Sequence, residues 1–293
     1  MSGNVTFHRP STLEDALALL ADNPEESKLL AGGTAFTILW RNGLIRAEHV
    51  ICCDTVTGLD YVRVESGMTV LGALATFRAV EVSQAAREQC PVLCSTLHHV
   101  ANLRVRNVAT WGGNLAEADS TSDLPAVLVA LDAEVVVRSA ASERVSTVRD
   151  LMLDFFATTL EPAEMIVEVR IPALAPWLAG SYLKFVSRSA DDRTCMGVAA
   201  FTGFGDDGSC RELRLAVCGA GAVPLRLPEV EAQVTGQVLD ERTIADVAAA
   251  YVAASDPMSD LRGSADYRRH VLPALITEAI ARANSRQNEA VMA

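Results

Sequence analysis

The sequence holds no C-x-x-C pair, although it contains seven cysteines. Cys52 and Cys53 are adjacent, Cys90 and Cys94 flank a Pro-Val-Leu run, and Cys195, Cys210 and Cys218 are scattered. Zinc and iron–sulfur sites need clustered thiolates, so this spacing predicts buried or incidental thiols and no metal in this chain. The adjacent His98 and His99 read as a helix surface and not as a ligand set. An odd cysteine count in a chain of intracellular character also argues against a disulfide framework. No apolar run approaches the ~20 residues of a membrane span, and the opening MSGNVTFHRP lacks the basic-then-apolar order of a signal peptide. A cytoplasmic location is therefore expected, with membrane association at most indirect. Positive charge is scarce: 25 Lys and Arg stand against 37 Asp and Glu, a net of −12, which argues against nucleic acid as a partner.

What the chain does have is two Gly-Gly turns. The segment 28–42, KLLAGGTAFTILWRN, runs Leu29 and Leu30 into Ala31, Gly32, Gly33 and Thr34, after which a helix-like pattern begins at Ala35 and Phe36. Strand, tight turn and helix start would follow one another. Paired glycines permit positive φ and place no Cβ between backbone and ligand, while free N–H groups at the turn can hold an anion such as a phosphate. The segment 107–123, NVATWGGNLAEADSTSD, repeats the device after a β-capable run, with Thr110, Trp111, Gly112, Gly113 and Asn114 followed by Asp119 and Asp123. Two such loops suit a ligand bearing several phosphates and hydroxyls. Neither turn fits the Rossmann or Walker pattern.

These segments, with the apolar LPAVLVALDA after them, TLEPAEMIVEVRIP, the YLKF stretch and RGSADYRR near the end, resemble the FAD-binding medium subunit of the molybdenum hydroxylases. That family includes carbon monoxide dehydrogenase and xanthine dehydrogenase. The likeness spans nearly the whole chain. It implies an α+β protein: a two-lobed FAD-binding domain of the PCMH (vanillyl-alcohol-oxidase-like) type over 1–175, with lobes of about 1–56 and 57–175, then a smaller α+β domain over 176–293 with a three-stranded antiparallel sheet and helices. It further implies noncovalent FAD held by residues 29–36 and 110–114, with Asp119, Asp123, Val100, Ile166 and Lys184 as further contacts. Lys184 would stabilise the reduced, anionic flavin. The implied partners are a molybdopterin-binding large subunit and a [2Fe-2S] small subunit, assembled as a dimer of heterotrimers. Electrons would pass from the clusters through this FAD to a terminal acceptor. Trp111 departs from the smaller aliphatic residue usual at its position and would alter how the ring is covered. The rival expectations are a stand-alone flavin reductase or oxidase, which needs its own acid or base, and a cofactor-free interaction module, which would have lost a Gly pair.

Periodicity supplies the remaining elements. A strand at 5–8 precedes a helix headed by Ser11, with Glu14 completing a capping box and Leu13, Ala16, Leu17 and Leu20 on one face. A buried strand is expected at 49–52, a hairpin turns at 65–67, and residues 76–100 read as two helices broken at Pro91. Strands at 133–138 and 144–148 pair, and 165–171 alternates as an edge or final strand. Pro172, Pro176 and Gly180 mark a linker, after which strands at 181–187, 197–204 and 212–218 precede three helices at 228–235, 244–253 and 264–286. Arg104 and Arg106 are expected on a solvated face.

Overall fold

The computed structural model describes residues 5–292, with side chains from 5 to 285. Three strands, Thr6–His8, Ser27–Leu30 and His49–Cys52, form a parallel sheet with His49–Cys52 in the middle. Parallel neighbours need crossovers, and the helices Leu13–Asp22 and Phe36–Arg41 lie in the two connections. The first helix buries Leu13, Ala16, Leu17 and Leu20 as its period requires. Its cap is not Ser11 but Thr12, whose Oγ1 accepts from the Asp15 N–H at 3.1 Å, so the helix starts one residue later than the Ser11–Glu14 pairing implied.

The second sheet is antiparallel, five strands wide, in the order Val62–Glu65, Met68–Gly72, Met165–Ile171, Glu134–Arg138, Glu143–Thr147. Met165–Ile171 is thus the central strand and not an edge. Its polar member Glu168 misled the alternation: the carboxylate is buried yet held by Tyr61, by Arg63 at 3.2 Å and by Arg170 at 2.6 Å, so it does not need water.

Residues 76–100 form three helices, Phe77–Val82, Gln84–Gln89 and Pro91–Leu97. Pro91 opens the last of them, where its missing N–H costs nothing. The unforeseen break is at Ser83, whose side chain caps the middle helix by accepting from the Ala86 N–H. The second glycine segment also differs from the expected strand and turn. Thr110 is an N-cap, and Gly112 and Gly113 lie in the first turn of the helix Trp111–Glu117, with a single bridge between Thr76 and Thr110 as the only strand-like pairing there.

Beyond the prolines, Ala179–Phe185, Met196–Phe204 and Cys210–Cys218 make the expected meander, and the two-residue strand Leu225–Arg226 extends it to four strands. The spacing Gly203, Gly205, Gly208 reads as G-x-G-x-x-G, but it lies in the hairpin turn of this sheet, where no helix follows to receive a phosphate. One face of the sheet is covered by the helices Glu241–Ala254 and Ala265–Met292, and the other packs on the wholly buried helix Asp123–Ala130. Among the described residues no helix is long and apolar enough to cross a membrane. Six of the seven cysteines are buried and all are free.

Gly32 and Gly112 are where segments approach too closely for a side chain. A Cβ on Gly32 would lie 1.9 Å from the Val108 carbonyl oxygen, and one on Gly112 would lie 2.8 Å from the Ala73 Cβ. Gly112→Val should therefore destabilise the fold by about 1–3 kcal/mol through overpacking, read as a lower midpoint of denaturant unfolding. An unchanged midpoint would show that the segments can part freely.

Candidate functional site

The edges of the three-stranded and five-stranded sheets, with the sheet beyond residue 178, enclose a cleft of about 600 Å³, within the range of cofactor sites. The first glycine segment forms one wall. Leu29, Ala31, Gly32, Gly33, Thr34, Ala35 and Phe36 line it, faced by Thr110, Gly112, Gly113 and Asn114, with Val100, Asp123, Ile166 and Lys184 completing the interior. Three expected residues do not reach it. The Leu30 side chain stands beneath the turn, close to where a Gly33 Cβ would be. Trp111 is fully buried against Phe77, ring centroids 5.5 Å apart, so it covers core and not ligand. Asp119 accepts from the Thr121 N–H and hydroxyl at 2.8 and 2.7 Å and pairs with Arg193, which ties down a loop.

The two glycine segments differ in what they can offer. Among the described residues, no acceptor meets the N–H groups of Gly32, Gly33, Thr34 or Ala35, and Gly33 takes φ +69°, the left-handed conformation from which nests of successive amides are built. Such a nest suits an anion. In the second segment the amides are already used: Trp111 N–H donates to Ala75 O at 3.2 Å, Gly112 N–H to Ala73 O at 2.8 Å, Gly113 N–H to Thr110 Oγ1 at 3.3 Å and Asn114 N–H to Thr110 O at 3.0 Å. What this segment contributes is a side chain. Asn114 Nδ2 donates to Ser122 Oγ at 2.8 Å, while its Oδ1 is buried without a partner and available to a ligand hydroxyl or N–H.

Deeper in the cleft, Asp123 and Lys184 pair at 3.1 Å, and both side chains are almost fully buried. Lys184 also donates to the His99 carbonyl at 2.8 Å. Burial pushes the Asp123 carboxyl above its usual range, against the opposing pull of Lys184 and of the Tyr182 hydroxyl, which donates to it at 2.6 Å. The helix cap here is Ser122, and Asp123 is the first helical residue, with its side chain turned to these partners. Lys28 and Lys184 are the two lysines of the chain, and both line the cleft. Arg193 and the adjacent Asp191 and Asp192 line its rim; no sequence signal marked this loop as part of the site.

The turn at residues 99–101 is held from behind. Arg106, far from lying on a solvated face, is largely buried: it donates to the carbonyls of Val100 and Ala101 at 3.1 and 2.9 Å and to Glu81 at 3.2 Å. Glu81, 1% exposed, collects Arg78, Arg106 and His98, the last at 2.7 Å. Burial alone would raise its pKa, but the hydrogen bonds from Arg78 and Arg106 hold it below the usual carboxylate range. This buried pairing fixes a turn in which Ala101 takes φ +48° and Val100 faces the cleft.

Comparison with known proteins supplies a candidate occupant. Residues 3–174 match the family described as the FAD binding domain in molybdopterin dehydrogenase, and 181–283 match the CO dehydrogenase flavoprotein C-terminal domain. The chain is 32% identical over 272 residues to the 6-hydroxypseudooxynicotine dehydrogenase complex subunit alpha of Paenarthrobacter nicotinovorans, covering 93% of this chain and 92% of that one. It is 29% identical to the xanthine dehydrogenase FAD-binding subunit of Escherichia coli O157:H7, covering 96% and 98%. In fold it superposes with TM-score 0.93 and 28% identity on carbon monoxide dehydrogenase from Hydrogenophaga pseudoflava, in a form that lacks the Mo-pyranopterin moiety of the molybdenum cofactor, over 98% of this chain and 99% of that chain. The residues present fit a flavin dinucleotide: an anion nest on one wall, a buried unpartnered acceptor opposite, and a cation in the interior.

Gly33 is the glycine to change when binding is tested apart from folding. A Cβ there would meet only side-chain ends, Leu30 Cδ1 at 3.2 Å and Thr37 Oγ1 at 3.4 Å. Gly33→Val should cost the fold about 1–2 kcal/mol for its positive φ. By misplacing the nest it should weaken FAD binding by about 3 kcal/mol, roughly a hundredfold in Kd by fluorescence titration. Equal affinity would show that the loop is only a turn.

A second expectation concerns Glu81. Because its folded pKa is depressed, its contribution is present above the unfolded carboxylate value of about 4.3 and is lost as pH falls through the folded value. Glu81→Gln should lower stability at neutral pH by about 3–5 kcal/mol, since it strands the Arg106 charge, and the gap to the unaltered chain should narrow on acidification. A gap that stays constant with pH would rule out the ion pairs as its source.

Proposed function

The chain belongs to the family of FAD-binding subunits of the molybdenum hydroxylases, and we propose that it is the electron-transfer flavoprotein of a multi-subunit oxidoreductase. The observation that carries this reading is the row of unpaired amides at residues 32–35 facing Asn114 across a cleft of cofactor size. When bound, FAD supplies the redox chemistry, and the protein's part is to hold it, orient it and tune its charge. The amides of Gly32, Gly33, Thr34 and Ala35 would hold the pyrophosphate, with Lys28 adding positive charge on the same wall. Asn114 Oδ1 would accept a hydrogen bond from a hydroxyl of the cofactor chain. Val100 and Ile166 would exclude water from the apolar parts of the site, and Lys184 would favour the more negative, reduced form to the extent that its Asp123 partner leaves its charge unbalanced.

The substrate is oxidised elsewhere. A molybdopterin-binding large subunit would take it, a small subunit with [2Fe-2S] clusters would relay electrons singly, and this subunit would pass them on to a terminal acceptor in the cytoplasm, within a dimer of heterotrimers. We divide the chain into the FAD-holding part, 1–175, and a second part, 176–293, whose Lys184 reaches back into the cleft. Among the described residues no group of three or more His, Cys, Asp or Glu gathers to hold a metal.

Purified chain should be yellow, and acid precipitation should release the colour into the supernatant, because no His or Cys lies in either glycine segment to form a covalent link. Turnover of an organic substrate should require the added partner subunits. A colourless chain that takes up no FAD would sink the flavoprotein reading, and turnover by the chain alone would replace it with an independent flavoenzyme.

A further inference from the structure

We propose that Tyr182 is a positioning residue, which holds the Asp123 carboxylate in its ion pair with Lys184 and so sets the charge that the cleft presents to bound FAD. The strand Ala179–Phe185 places Tyr182 and Lys184 on one face, two residues apart, and both reach the start of the helix Asp123–Ala130. The Tyr182 hydroxyl donates to Asp123 Oδ1 at 2.6 Å, leaving Oδ2 to Lys184 at 3.1 Å. The tyrosine can extend this far only because Gly197, diagonal to it on the next strand, has no side chain. Gly197 sits in register between Lys184 and Cys218, and a Cβ on it would lie 2.0 Å from the Tyr182 hydroxyl oxygen and 2.8 Å from Cys218 Sγ. A glycine at the second position of a nine-residue strand, itself buried, loses packing and adds backbone entropy to the unfolded chain, so the room it leaves for one hydroxyl is a specific use of it.

The groups that face Asp123 leave it as the one charge there able to switch. Lys184 carries the opposing charge. Tyr182 is kept protonated by burial, and by the Asp123 charge after that. Burial pushes the Cys218 thiol, 3.4 Å from the same hydroxyl, up to about 12. His99, on the turn that receives Lys184, is lowered by burial first and by nearby cations second, which favours its neutral form. With Asp123 ionised, the pair with Lys184 is neutral. With Asp123 protonated, the cleft gains one positive charge, and reduced FAD, the more negative form, is favoured. Burial already raises this carboxyl, and the tyrosine donor opposes that rise. The hydroxyl therefore favours the ionised carboxylate and with it the neutral pair.

This inference rests on the flavoprotein reading, and the experiment separates the two. The full chain is loaded with FAD, its binding stoichiometry is measured, and its midpoint potential is titrated from about pH 9 to about pH 6, a window in which a carboxyl raised further by loss of a donor would begin to take up a proton. Tyr182→Phe should match the unaltered chain at the alkaline end and rise above it as pH falls, with FAD still bound. Gly197→Ala, which displaces the hydroxyl by another route, should shift the same way and serves if the phenylalanine variant does not fold. Variants whose potentials follow the unaltered chain at every pH would overturn the proposal and leave Tyr182 as packing. An unaltered chain that binds no FAD would refute the flavoprotein reading instead.

Discussion

The contact on which the site depends is the approach of the first glycine turn to the backbone before the second, where Gly32 lies against the Val108 carbonyl with no room for a Cβ. It brings a turn from a parallel sheet beside a helix start that packs on an antiparallel one. Because the second segment spends its amides on Ala73, Ala75 and Thr110, it is a rigid abutment. The first turn, braced against it, can leave four amides unpaired without collapsing onto them. A cleft with unsatisfied donors is costly unless something else fixes its walls, and here the glycine contacts and the Arg106–Glu81 pairing behind residues 99–101 do so.

Charge inside the cleft follows the same logic of fixing groups from outside. Lys184 is supplied by a sheet that begins after the prolines, yet it is held between Asp123 and the His99 carbonyl, each from a different element. The three elements are tied together inside the cleft. The network Tyr182, Asp123, Lys184 therefore clamps the start of the helix Asp123–Ala130 to the strand Ala179–Phe185 and, as proposed for Tyr182, sets the charge of the cleft.

Much of this was legible in the sequence because glycine pairs, prolines and hydrophobic periods act locally. The first turn, the helix after it, the hairpins and the strands beyond residue 178 fall where pattern placed them. What was not legible depends on partners distant in sequence. Arg106 looked solvated because nothing nearby in the chain announces Glu81 and the carbonyls of Val100 and Ala101. Met165–Ile171 looked like an edge because Glu168 finds its partners about a hundred residues away, in Tyr61 and Arg63. Gly112 and Gly113 looked like a phosphate turn because the residues alone do not reveal that Ala73 and Ala75 already accept their neighbourhood's amides. Trp111, a departure from the family pattern, turned out to face Phe77.

Hydrogen–deuterium exchange of the full chain with and without FAD tests this division of labour between the two glycine segments most directly. The amides of residues 32–35, open to the cleft in the free chain, should become strongly protected when FAD is added, while those of residues 111–114, already bonded within the protein, should change little. Protection gained at 111–114 with none at 32–35 would contradict the account.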